Sequence, residues 1–132
     1  MATTLTTAAR NAACDAIVDL LDAGNEAAQV RFMLANGTTE VATLTLSDPA
    51  FGASSTGVAT MDNTPVPTDS SATGNASAAT IALFESMNTG TPTEVFRCSI
   101  GVGSGDIQMT NNVIAATEEV QLTAFTFTVP AS

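Results

Sequence analysis

The titratable side chains of this 132-residue chain are thirteen carboxylates, three arginines (Arg10, Arg31 and Arg97) and two cysteines. No His, Lys, Tyr or Trp joins them. Without His, the commonest general base and metal ligand is missing. Without Lys, neither a phosphate-loop lysine nor Schiff-base chemistry can be built. No serine has a histidine to activate it. Cys14 and Cys98 have no His or Lys to lower their pKa. In a chain made in the cytosol they read as two buried thiols, small hydrophobes rather than a disulfide.

Four local patterns imitate sites and fall short. Gly101-Val102-Gly103-Ser104-Gly105 lacks the third glycine of a dinucleotide fingerprint and the strand-to-helix setting that fingerprint needs, so it reads as a flexible turn between two strands. Asp69-Ser70-Ser71-Ala72-Thr73-Gly74 resembles the first half of a calcium loop, but Thr80 stands where the bidentate Glu belongs. Glu118 and Glu119 would point to opposite faces of a strand and have no partner nearby. Asn36-Gly37-Thr38 and Asn75-Ala76-Ser77 match the glycosylation pattern, yet residues 1–23 have neither the basic start nor the continuous apolar run of a secretory leader. The sequence therefore predicts no catalytic residue, no cofactor site and no metal site, and a protein that is not an enzyme. A hydrolase or lyase acting on glycans is the competing class. It would have to work without the Trp and Tyr platforms that stack sugars.

Charge narrows the partners. A net charge of -10 excludes the basic patch needed to displace counterions from nucleic acid. It also repels anionic membrane surfaces, and no stretch approaches the roughly 20 apolar residues of a membrane span. The length fits one domain over residues 1–132, large enough to bury a core without staples.

The elements that would position any surface follow from periodicity. Over residues 4–23, Leu5, Ala8, Ala9, Ala12, Ala13, Ala16, Ile17, Leu20 and Leu21 recur at helical spacing, with Thr3 or Thr4 as cap and Gly24-Asn25 as stop. Asp15, Asp19 and Asp22 form an acidic stripe on the other side, and the alanine face lets another surface approach closely. Ile17, Leu20 and Leu21 are expected to anchor the helix, leaving Leu5 and Ala9 towards a partner. The candidate interaction residues are thus Leu5, Ala9, Asp15, Asp19 and Asp22.

Beyond Gly24 the period becomes two. Strands are predicted over 29–34, 40–47, 57–61, 76–85, 94–102, 107–109 and 118–129, with a hairpin at Asn36-Gly37, a loop over 62–75 and a turn over 88–92. A change of parity near Ala124 suggests a bulge, or a strand buried on both faces. Turns rather than helices connect the strands, so antiparallel pairing is expected. The reading is a mainly β protein: an antiparallel, jelly-roll-like β-sandwich over 29–129 with one N-terminal α-helix.

The block Arg10-Asn11-Ala12-Ala13-Cys14-Asp15-Ala16-Ile17, continuing through Leu21-Asp22-Ala23-Gly24 to Val30-Arg31-Phe32, resembles small proteins encoded with the head genes of tailed bacteriophages. Residues 44–58, the segment 69–76 and the end around Phe125-Thr126-Phe127-Thr128 are similar to the same group. The family's aromatic after the first strand is missing here, where Met33 and Leu34 stand. The resemblance covers most of the chain and implies a structural role with no catalytic residues to transfer. It implies a capsid decoration (cement) protein on the outer surface of the virion, made in the host cytoplasm. Its partners would be the major capsid protein and itself, as a dimer or trimer. A tail, neck or fibre-associated structural protein is the alternative.

Overall fold

The computed structural model describes residues 3–131. Thr6 caps the only α-helix among them, α1 (Thr7–Asp19), its side-chain oxygen accepting from the Ala9 N–H at 3.1 Å. A 3-10 turn, Leu20–Asp22, tightens its end. The helix therefore starts later than the expected 4–23. A side chain at Gly24 would overlap the carbonyl of Met87, so glycine lets the helix exit lie against the sheet.

The strands are β1 (Glu26–Met33), β2 (Glu40–Thr45), β3 (Val58–Thr60), β4 (Thr68–Asp69), β5 (Ile81–Asn88), β6 (Thr91–Gly101), β7 (Ile107–Gln108), β8 (Val120–Gln121) and β9 (Thr126–Thr128). They form a five-stranded sheet in the order β2-β1-β5-β6-β7, with two ribbons, β3-β9 and β4-β8. The protein is thus mainly β with one N-terminal helix. Pairing is antiparallel except between β6 and β7, which run parallel.

That parallel pair corrects the expected all-antiparallel sheet, and the glycine run explains it. Gly103 and Gly105 adopt φ of +71° and +90°, and a Cβ at Gly101 would sit 2.6 Å from the Ser104 carbonyl. Only glycines let the chain curl back so tightly, returning Ile107 beside Ile100. The run is a turn between two strands, as expected, shaped by its glycines.

Turns fix the register elsewhere. Asn36-Gly37 lies in a longer loop, because only Gly37 has positive φ and the Asn36 side chain accepts from the N–H groups of Thr38 and Thr39. The two-residue hairpin turn with positive φ at both central residues is Thr89-Gly90, at +51° and +75°. Residues 76–79, expected in a strand, instead lie outside it, where Ala79 N–H donates to Asn112, while Thr80 still bonds to Met33 of β1 and Ile100 of β6. The expected loop over 62–75 contains the short β4. The long strand expected over 118–129 breaks in two. Leu122 N–H donates to Pro67 while the Phe125 carbonyl accepts from Met61, so this segment crosses from one ribbon to the other, and both of its parities face the interior.

Val30, Phe32, Leu44, Ala82, Phe84 and Ile100 cover the inner face of the sheet. Phe84 stacks on Phe96 at 4.6 Å between centroids and tilts against Phe125 at 4.7 Å, which ties the β3-β9 side to the sheet. Such aromatic pairs add stability beyond the area they bury.

Candidate interaction surface

Helix α1 buries Cys14, Val18 and, in the turn after it, Leu21. Leu20 is 54% exposed and Ile17 only half-buried, so two of the three expected anchors are replaced by Cys14 and Val18. The reason lies in the polar residues beside that ridge. Arg10 Nε donates to the Val129 carbonyl at 2.9 Å, and Asn11 Oδ1 accepts from Gly57 N–H at 2.7 Å. Asp15 Oδ1 accepts from Ser54 N–H at 2.8 Å, and the Ser54 hydroxyl donates to the Asn11 carbonyl. Alanine gains little from burial, whereas each of these groups satisfies a backbone donor or acceptor that would otherwise lack a partner. The helix therefore rolls its alanines outward.

Of the five candidate residues, Leu5, Ala9 and Asp19 are exposed. Asp15 and Asp22 turn inward, each accepting from a loop N–H, Ser54 and Ala50 respectively. The acidic stripe is thus not on the face opposite the buried ridge but on its flank. The outward apolar stripe runs Leu5, Ala9, Ala12, Ala16, Leu20. It leads into a groove of about 410 Å³ where Leu20 and Ala23 face Val95 and Thr93 of β6.

Burial pushes the Asp22 carboxyl above its ordinary value of 3.8; the bond from Ala50 lowers it, and Asp48 and Asp19 add to the rise. A raised pKa in the folded state favours folding fully below the unfolded value, and the benefit is lost as pH rises through the folded value. Asp22→Asn keeps an acceptor for Ala50 and removes the charge. It should raise the melting temperature at pH 7 by a few degrees at most, with the gain shrinking towards pH 3.5. Melting curves at both pH values decide this, and a lower melting temperature at pH 7 would contradict it.

All three arginines are engaged within the chain. Arg10 is bonded to Val129, Arg31 to Glu85 at 2.6 and 2.7 Å, and Arg97 to Glu94 at 2.6 and 2.7 Å. The net charge of -10 therefore remains as carboxylates with no cation to offset them. Seen from outside, the molecule is acidic.

A second concavity, a cleft of about 440 Å³, lies between β6 and β9, with Phe96, Cys98 and Phe127 among its lining and Arg97 and Asp106 at its rim. Burial, reinforced by Asp106, pushes the Cys98 thiol up to about 12, and burial with Asp15 raises Cys14 as well. Neither thiol is poised as a nucleophile at neutral pH. Sequence reasoning missed this cleft, although Phe96-x-Cys98 and Phe125-x-Phe127 alternate in the way that would have marked its two walls.

The calcium-like segment uses its carboxylate internally: Asp69 accepts from Thr43 N–H and Ser71 N–H. Among the described residues, no three or more Cys, Asp or Glu gather as a metal site. Among them, too, no helix is long and apolar enough to cross a membrane. Comparison with protein families, with curated proteins and with solved structures finds no match to this chain.

Proposed function

We propose that this protein is a non-enzymatic structural component of a tailed-phage virion, a capsid decoration protein that binds the outside of the major capsid protein shell and braces it. The observation that carries the reading is the outward stripe Leu5–Ala9–Ala12–Ala16–Leu20 on an acidic surface whose arginines are all engaged internally. An apolar strip on an acidic molecule suits a partner presenting apolar residues among cations. The resemblance of the 10–32 block to phage head proteins points the same way. With this role goes the finer architectural reading, a jelly-roll-like sandwich in which the two ribbons serve as the second layer. The same reading gives a dimer or trimer on the shell, which sedimentation velocity with and without heads would detect.

Purified protein mixed with expanded, undecorated heads should co-sediment at micromolar concentration. No binding at that concentration overturns the reading. Ala9 is exposed, so Ala9→Glu should change stability by less than about 0.5 kcal/mol. It should weaken head binding at least tenfold. Full head binding by this variant would remove the helix from the interface.

A further inference from the structure

The outer edge of β6 faces the outer edge of β9 across the cleft, and among the described residues neither is paired there. β6 gives its inner edge to β5, and only its Ile100 and Gly101 pair with β7. The ladder fixes which groups face the gap. Ile100 N–H donates to Thr80 on the β5 side, while Ser99 N–H turns outward to Asp106. By alternation, the N–H and C=O of Arg97 also point outward. On β9, Val129 N–H donates to Gly57, and the Phe125 carbonyl accepts from Met61, both towards β3. Thr126 and Thr128 therefore turn their backbone groups the other way, into the cleft.

The first half of the β6 edge is blunted. Pro92 has no N–H to offer, and the register shift beside Phe84 leaves Val95 bulged. What stays open is the short stretch Phe96–Cys98 opposite the equally short Thr126–Thr128. The phenyl rings of Phe96 and Phe127, 4.8 Å apart, close the floor between them. The site has the elements of strand recognition: unpaired backbone groups along both sides and an apolar base for one side chain.

We propose that this cleft is a strand-addition site that takes one short extended segment of a basic partner protein. The segment pairs with Arg97 on β6 and with Thr126 and Thr128 on β9, sets an apolar side chain over Phe96 and Phe127, and directs Lys or Arg outward to the rim at Asp106. Charge selects a basic segment, because Asp106 stands at the rim while Arg97 is already paired with Glu94. The inference deepens the shell-binding reading by naming the kind of segment recognised, and rests on it only for the partner's identity.

The test uses the full chain and capped hexapeptides, with amide hydrogen exchange read by NMR. A peptide alternating arginine and valine should slow exchange at Arg97, Thr126 and Thr128 at least tenfold. The same peptide N-methylated at alternate backbone nitrogens, and one alternating glutamate and valine, should each bind at least tenfold more weakly. Unchanged exchange at those three amides overturns the proposal. So does equal binding of the methylated or the acidic peptide, or protection that appears without peptide as protein concentration rises, which would make the occupant a second copy. Peptide binding without head binding would keep the cleft and remove the shell reading; head binding without peptide binding would do the reverse.

Discussion

Arg31→Leu is expected to lower unfolding stability by about 3–5 kcal/mol, the usual cost of leaving a buried charge without its partner. Glu85 is only 2% exposed, in the middle of β5, and accepts from Gln29 Nε2 and from two nitrogens of Arg31. Taking away the guanidinium leaves a carboxylate that neither water nor the single amide of Gln29 can satisfy. A stability of about 5–15 kcal/mol is typical of such domains, so the loss is a large share of it. The double variant Arg31→Leu/Glu85→Leu should recover most of the loss, because it removes both the unpaired charge and its desolvation. Urea unfolding of the two variants and the wild type measures this. A single variant within 1 kcal/mol of wild type would mean that the pair is hydrated.

Phe84→Ala should cost a similar amount, about 3–5 kcal/mol. Phe84 is fully buried and its ring lies 6.3 Å from Phe51, 4.6 Å from Phe96 and 4.7 Å from Phe125 between centroids. These contacts join the five-stranded sheet to the segment entering β9, a ribbon with only three residues in each strand. A cavity there cannot collapse without moving the ribbon. Loss of stability should therefore come with faster amide exchange in β3 and β9 than in β1. Phe84→Leu, which keeps more volume, should lose clearly less. A cost under about 1.5 kcal/mol for Phe84→Ala would show that the aromatic cluster is loosely packed.

What was legible in the sequence was local. The 3.6-residue period marked α1, the switch to a period of two marked β1, β2, β5 and β6, and the chain does turn at Asn36-Gly37 and at Thr89-Gly90. The helix face was not legible, because it is chosen by groups distant in sequence: Ser54 and Gly57 for Asp15 and Asn11, and Val129 for Arg10. Spacing alone took Ile17 and Leu20 for anchors and gave no sign that Arg10, Asn11 and Asp15 hold the helix to distant loops while Cys14 and Val18 fill the core. Ala9 on the helix and Leu5 just before it are exposed, and so is Leu20, which was expected to anchor. The strand at β7 was marked over 107–109, but its parallel direction was not legible, since two residues carry no signal of which way they pair. The β6–β9 cleft is a product of tertiary placement, two edges from different sheets that, among the described residues, share no ladder. Only the alternating phenylalanines hinted at it.

The copy number and position of this chain in an intact particle decide whether it decorates the capsid. Quantitative densitometry of purified virions, with density located by cryo-electron microscopy, should find hundreds of copies on the outer surface of the head. A few copies confined to the tail, neck or fibres, or none in the particle, would contradict that role.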